Sequence, residues 1–265
     1  MTPTLLAVLA HPDDESLGLG GTLARYAAEG VRVHLVSATR GERGRFFDNE
    51  DRPSDAEVGR VREAELRCAA DTLGIRGLTF LDYVDGRLDR ADPEEAVDRI
   101  VEQILRVGPQ VVVTFDPFGV YGHPDHVAVA QWTAAAVLSA ASAERPGPRH
   151  QVHKLYYSVL ESGRYELLRT HFRALRTRVD GEERTVVPWP AWSVSARISS
   201  EEHWETVWTA VRCHRTQMAI FGQLEELTEA DHRSMWGSQS FYRVLSLVNG
   251  GRKVETDLFA GLRRP

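Results

Sequence analysis

Short apolar runs alternate with longer segments of helical period from the N-terminus as far as Ala141. The apolar runs predict strands near Leu5 to Ala10, Val31 to Ala38, Leu78 to Leu81 and Val111 to Phe115, with later ones at Lys154 to Val159 and Trp192 to Ala196. Between them the spacing predicts helices over about Gly20 to Ala28, Ser54 to Leu73, Pro93 to Val107 and His126 to Ala141. Strand and helix in turn mark βαβ units around a mostly parallel sheet, so the fold class is α/β. Val111-Val-Val-Thr-Phe115 is apolar without alternation, as a parallel strand covered on both faces should be. The helix after Ser54 has the clearest ends: Ser54 suits an N-cap, Glu57 stands at the capping-box spacing, and Gly74 closes it.

After Ala141 the rhythm changes. Glu144-Arg-Pro-Gly-Pro-Arg149 reads as a stiff connection, and Arg176 to Pro190 holds the Asp180-Gly181 pair of a tight hairpin, followed by Pro188-Trp189-Pro190. No internal repeat or low-complexity tract interrupts the chain. Residues 1–265 are therefore expected to form one domain, with 1–141 as its βαβ core and 150–265 as a β-rich elaboration on the same sheet. A chain of this length buries roughly three quarters of its unfolded surface and needs no disulfide staple.

Charge and cysteine content exclude several functions. The 32 basic and 38 acidic residues sum to -6, and the longest basic run is the Arg263-Arg264 tail, so a sequence-independent nucleic-acid binder is set aside. Cys68 and Cys213 stand far apart without a CxxC pair or a third thiol, which leaves no thiolate zinc site and suggests a reducing, cytoplasmic setting. Leu5 to Ala10 is too short for a secretion signal, and no stretch has the length of a membrane span.

In open α/β sheets ligands bind beyond the carboxyl ends of strands. The first strand runs into His11-Pro12-Asp13-Asp14-Glu15, and the Val111 strand leads through Asp116 and Tyr121 to His123-Pro124-Asp125-His126, so both clusters should share one sheet edge. A catalytic zinc takes three nitrogen or oxygen ligands and keeps a place for water; His11, Asp14 and His126 offer two imidazoles and one carboxylate. The bland alternative makes the aspartates helix caps and the histidines satisfied polar residues. One cluster alone would fit that account, but two after predicted strands fit it poorly. Gly18-Leu-Gly20-Gly21 is not a dinucleotide fingerprint, because Leu23 occupies the third glycine position; these glycines are expected to let a helix approach the sheet.

The run Ala10 to Glu15, Gly20-Gly21, Thr39-Arg-Gly-Glu-Arg-Gly44 and His123-Pro-Asp-His126 together resemble the LmbE-like, PIG-L family of zinc-dependent de-N-acetylases. Beyond residue 150 the likeness thins to His214-Arg-Thr-Gln217 and the Ser240-Phe241 region. The resemblance implies a Rossmann-like three-layer sandwich and a Zn2+ cofactor, with Fe2+ also compatible, held by His11, Asp14 and His126. It implies Asp13 as general base, His123 as general acid or oxyanion stabiliser oriented by Asp125, and Tyr121 beside the oxyanion. Glu42, Arg62 and Asp85 follow as substrate contacts or pocket-shaping residues, each open to reading as an ion pair or loop cap. The implied partner is a small N-acetylated amino sugar or glycoconjugate; relatives range from monomers to homo-oligomers.

Two other classes share part of this pattern. Two histidines and a carboxylate also form the facial triad of non-haem iron oxygenases, but that leaves Asp13, His123 and Asp125 without work. A non-catalytic sugar-binding relative would be expected to lack Asp13. Phe46-Phe47-Asp48-Asn49-Glu50-Asp51 and the Arg176 to Pro190 hairpin are long enough to overhang a pocket and set specificity. Trp189, Trp192 and Trp236 could wall it, though burial in the core is the commoner fate of tryptophan.

Overall fold

The computed structural model describes residues 2–47, 52–171, 175–249 and 253–263; residues 48–51 of the Phe46 stretch and Arg264 of the basic tail lie outside the described residues. In chain order the main elements are β1 (Thr4–Leu9), α1 (Gly20–Ala28), β2 (Arg32–Ser37), α2 (Asp55–Thr72), β3 (Gly77–Phe80), α3 (Pro93–Val107) and β4 (Val111–Phe115). A kinked turn α4 (Gly119–Gly122), the helix α5 (Pro124–Ala141) and β5 (Lys154–Val159) complete the βαβ series. There follow α6 (Ser162–His171), β6 (Arg176–Val179), β7 (Glu182–Thr185), β8 (Ala196–Ser199), α7 (Trp204–Cys213), α8 (Met218–Phe221), α9 (Glu229–Trp236) and β9 (Ser238–Ser246).

One seven-stranded sheet carries the order β3-β2-β1-β4-β5-β9-β8. β1 to β5 run parallel; β9 pairs antiparallel with β5, and β8, antiparallel to β9, returns to the direction of β1 to β5 at the sheet's edge. Every residue of β1 and β4 is buried, as their unbroken apolar runs predict for central parallel strands. Right-handed crossovers put α1 and α2 on one face and α3 and α5 on the other. The packing agrees: α3 lies on α5, while α1 and α2 both meet α7. Helices on both faces of the sheet make three layers. The strand order reverses between β1 and β4, so their carboxyl ends open the crevice where such folds bind ligands.

Local chemistry explains most boundaries. Ser54 caps α2 by accepting from the Glu57 N–H at 3.3 Å, but the Glu57 carboxylate bonds Arg60 instead of closing the capping box. Asp180 and Gly181 take positive φ, 51° and 87°, in the predicted tight turn between β6 and β7. The expected strand over Trp192 to Ala196 is instead a 3-10 turn at Ala191–Ser193, with the strand beginning at Ala196. The Ser193 N–H turns back to the Pro190 carbonyl at 2.9 Å, which closes the 3-10 turn, and bonding toward β9 begins only with the Ser195 N–H to the Phe241 carbonyl at 2.9 Å. Gly20 and Gly21 do permit close packing, although against the C-terminal half: a Cβ on Gly20 would sit 2.9 Å from Val207, and one on Gly21 2.8 Å from the Trp236 carbonyl oxygen.

The cysteines overturn an expectation. Cys68 on α2 and Cys213 at the end of α7 form a disulfide, with Cα atoms 5.8 Å apart across a sequence separation of 145. Their distance along the chain hid the packing of α2 on α7 that brings them together. The argument for a reducing compartment from two solitary thiols therefore loses its basis. Among the described residues no helix is long and apolar enough to cross a membrane.

Candidate metal centre and its surroundings

Beyond β1 the chain turns tightly. Asp13 takes a φ of 110°, unusual for a residue with a side chain, and its N–H donates to Glu15 Oε2 at 3.0 Å. Holding such a conformation costs on the order of 1–3 kcal/mol, so fixed neighbours must supply it. Two do: Glu15 is fully buried and accepts from or pairs with His214 Nε2 at 2.7 Å, and Arg62, itself buried, donates to Asp13 Oδ2 at 3.0 Å and to the carbonyls of Pro12 and Gly41. The turn also directs Asp14 Oδ2 back onto the His11 N–H at 2.8 Å.

Beyond β4 the chain is held differently. Asp116 Oδ1 accepts from the N–H groups of Phe118 and Val120, and its Oδ2 from Trp189 Nε1 at 2.9 Å. Val120 and Gly119 both take positive φ, 65° and 64°. Pro124 opens α5, where its missing N–H is harmless, and His123 Nδ1 caps that helix by accepting from the Asp125 N–H at 3.2 Å. His123 and His126 share one face, their rings 4.7 Å apart, and the His126 ring stacks on Phe115 at 4.0 Å.

The two segments meet at three groups. His126 Nε2 lies 3.3 Å from His11 Nδ1 and 3.4 Å from Asp14 Oδ1, and His11 Nδ1 lies 3.5 Å from Asp14 Oδ2. Two ligand atoms about 2.0–2.1 Å from a tetrahedral zinc are roughly 3.4 Å apart, so the three fit the faces of such an ion. Burial holds the His126 imidazole down to about 3, a neutral ring with a lone pair to offer. Burial would raise Asp14, but His126 and His11 hold it well below the usual carboxylate range. On the far side of His11, Nε2 meets Asp125 Oδ2 at 3.0 Å and Asp85 Oδ1 at 3.1 Å, the carboxylate–imidazole arrangement that fixes a metal-binding histidine. Against its own burial, these carboxylates and Asp14 raise His11 well above its usual range when no cation is present.

Asp13, Asp14, Tyr121 and His126 line one cavity of about 780 Å³. Burial, opposed by Arg62, pushes Asp13 up to about 7. The Tyr121 ring stands edge-on to both His123 and His126, at 5.9 and 5.6 Å, and burial raises its hydroxyl pKa. Burial also lowers His123.

Against known proteins, the sequence signature described as PIG-L: GlcNAc-PI de-N-acetylase matches residues 6–137. A 1D-myo-inositol 2-acetamido-2-deoxy-alpha-D-glucopyranoside deacetylase of Nocardioides sp. is 35% identical, the match covering 97% of this chain and 98% of the relative. The chain belongs to the PIG-L family. Among solved structures, the N,N'-diacetylchitobiose deacetylase of Pyrococcus horikoshii shares the fold with a TM-score of 0.67 at 18% identity, over 91% of this chain and 83% of that one. The 4-carboxy-2-hydroxymuconate hydratase of Pseudomonas putida KT2440 does so with a TM-score of 0.68 at 20% identity, over 94% and 99%. The same fold thus accompanies two reaction types, and the PIG-L assignment rests on the sequence matches.

The geometry revises several PIG-L-based expectations. The Asp125 carboxylate is fully buried and bonds His11 and the N–H groups of Gly86 at 2.7 Å and Leu88 at 3.1 Å, while Asp125 meets His123 through its backbone N–H, with ligand atoms of His11, His123 and Asp125 within 4.8 Å of one another. Glu42, Arg62 and Asp85 do not line the cavity. Glu42 Oε1 accepts from the Asp85 N–H at 2.8 Å, Asp85 bonds His11 and the Arg43 N–H, and Arg62 braces the turn at Asp13. They shape the pocket from behind. Of the tryptophans, Trp236 is buried in the core, Trp192 is 87% exposed, and Trp189 holds Asp116; none lines the cavity. Sequence reasoning missed Glu15, His214, Asp116 and Trp189 as supports. Glu15 and His214 stood inside noted motifs, and Asp116 is the first residue after β4, a position that often organises the following loop.

Proposed function

We propose that this protein is a zinc-dependent deacetylase that hydrolyses the N-acetyl amide of a small N-acetylglucosamine-containing molecule. The observation that carries the reading is the convergence of His11 Nδ1, His126 Nε2 and Asp14 within 3.5 Å, with Asp13 on the wall of the same cavity. The relatives named above, deacetylases of acetylated amino sugars, support the substrate class. A cytoplasmic site of action belongs to this reading, with the disulfide as the feature against it.

His11, Asp14 and His126 would hold the metal. When bound, zinc lowers the pKa of a water to about 7 and polarises a carbonyl, answering both the poor electrophile and the poor nucleophile of amide hydrolysis. Asp13 accepts the proton of the attacking water: its carboxylate faces the cavity, and Arg62 holds it in one orientation. Tyr121 and His123, whose rings flank His126, supply hydrogen bonds to the developing oxyanion, and His123 or protonated Asp13 returns a proton to the leaving nitrogen. Asp125 and Asp85 act through His11, fixing which ring nitrogen faces the metal.

The test is acetate release by zinc-loaded and zinc-stripped protein across N-acetylglucosamine, its inositol and malate conjugates, chitobiose and acylated glycopeptides. Zinc-dependent acetate release from at least one compound is expected. Asp13→Asn should keep its zinc and lose about 10²- to 10⁴-fold in kcat. Parent-rate acetate release by that variant would remove Asp13 from the mechanism, and bound iron with oxygen-dependent turnover would remove the hydrolase itself.

A further inference from the structure

The two faces of the sheet are covered unequally at β9. α1 and α9 pack on β9 from the face of α2 and α7, and Gln239 reaches α1 on that side through the Thr22 N–H. Side chains alternate along a strand, so Tyr242 points to the face of α3 and α5; a bulge between the pairs Tyr156–Arg243 and Leu155–Leu245 shifts the alternation, and Leu245 and Leu247 point there too. Trp189 lies on Tyr242 at 5.0 Å and Phe118 meets Trp189 at 6.1 Å, which carries the apolar surface across to the end of β4. Trp192 stands on the turn whose Ala191 carbonyl accepts from Arg197 Nη2 at 3.3 Å. α5 packs on β5 beside this face, and its exposed positions, Gln131, Ala135 and Leu138, are all uncharged.

Much of this apolar surface stands in water. Trp192 is 87% exposed, Leu138 68%, Phe118 54% and Leu247 52%, and Tyr242 is exposed as well. Together these five leave on the order of 500 Å² of side chain in solvent, which matches the apolar share of the roughly 800 Å² that each partner buries in a stable interface. The charges on the face cancel: Arg197 bonds Glu161 twice, at 3.0 and 2.9 Å, and Ser240 Oγ donates to the same carboxylate at 3.1 Å. A surface with an apolar centre and internally paired charges opposes no like charge when it meets itself about a twofold axis. The contact is face to face, because at the start of β8 the Arg197 N–H and the Ser195 carbonyl already bond the Glu255 backbone at 2.9 Å and close that edge to strand pairing.

We propose that two copies of this chain associate through this face about a twofold axis, each burying its Trp192, Phe118, Tyr242, Leu138 and Leu247. The contact does not depend on the chemistry at the metal centre. A tryptophan fully desolvated in such a contact is the kind of residue whose loss weakens association most, by about thirtyfold or more.

The experiment is sedimentation velocity of the full chain from about 1 to 100 µM, a range in which an interface of this size is populated. A species of twice the 29.7 kDa chain mass is expected. Trp192→Asp should raise the dimer Kd about thirtyfold or more. Its side chain stands in water, so the change removes little packing within the chain, and circular dichroism checks the fold. Leu247→Asp is the second probe of the same face, should the first variant not fold. Val84→Asp, at an exposed apolar position after β3 on the other side of the sheet, should leave the dimer intact. A parent protein that stays monomeric throughout overturns the proposal. So does a dimer that the Trp192 and Leu247 variants weaken no more than Val84→Asp does, since the contact then lies elsewhere. Flotation with phosphatidylcholine–phosphatidylglycerol vesicles covers the other occupant: a monomeric parent that floats, beside a Trp192→Asp variant that does not, assigns the face to a lipid surface and overturns the dimer.

Discussion

The tripeptide His-Pro-Asp occurs at 11–13 and again at 123–125, after neighbouring strands of one sheet, and the two copies do different things. In the first, His11 turns Nδ1 toward Asp14 and His126, and Asp13 faces the cavity from a backbone with φ of 110°. In the second, His123 is the cap of α5, and Asp125 turns away from the cavity to meet the back of His11. What separates them is the backbone after the proline. A strained turn presents the carboxylate next to proline to the cavity. A helix starting at proline sends that carboxylate inward and brings forward the residue three places after the first histidine. Residue type alone therefore does not assign a role; the conformation that follows does.

The sharpest test of this contrast sets His126→Ala against His123→Ala. Losing His126 removes one of three converging donors, so bound zinc and at least about 10³-fold of activity should disappear together. Losing His123 should leave zinc in place, by elemental analysis, and cost about 10²- to 10⁴-fold in kcat with KM little changed. Equal zinc loss in both variants would break the division between the clusters. A smaller effect is expected of Asp125→Asn, which acts through His11: about 10- to 100-fold weaker zinc binding in competition with a chelator, and normal turnover once zinc is saturating. A turnover defect that saturating zinc does not repair would return Asp125 to His123, the role that the family resemblance implies.

Much of the βαβ half is legible because its signals are long and agree with one another. The unbroken apolar β1 and β4, Pro93 at the start of α3 and Gly108 in the left-handed conformation at its end all point one way. That His11, Asp14 and His126 come together was legible for a similar reason: strand, tight turn and metal-type side chains occur together twice. The remainder was harder. β9 reads Ser-Gln-Ser-Phe-Tyr-Arg-Val-Leu-Ser, half polar because it lies near the sheet's edge, and α8 is only four residues long. The pairings Asp125–His11 and Glu15–His214 are properties of packing between segments, and a side chain's direction at the start of a helix is not written in its identity.

The disulfide gives the mildest test, because it supports only the first cluster and does so at a distance. Arg62, Glu65 and Cys68 follow one another at three-residue steps along one face of α2. Arg62 reaches Asp13, Glu65 accepts from Thr216 N–H and Oγ1 at 2.8 and 2.7 Å, and Cys68 bonds Cys213. The segment that carries His214 to Glu15 is thus tied to α2 at two places, one covalent and one through a buried carboxylate. Denatured protein kept from reductant should show no free thiol. Cys68→Ser should lower stability by on the order of 2–4 kcal/mol and Tm by roughly 5–10 °C. With Glu65–Thr216 and Glu15–His214 intact, kcat should fall less than about threefold, and zinc content should not change. A loss of turnover as large as that of Asp13→Asn would mean that the disulfide, and not the hydrogen bonds nearer Asp13, holds the strained turn in place.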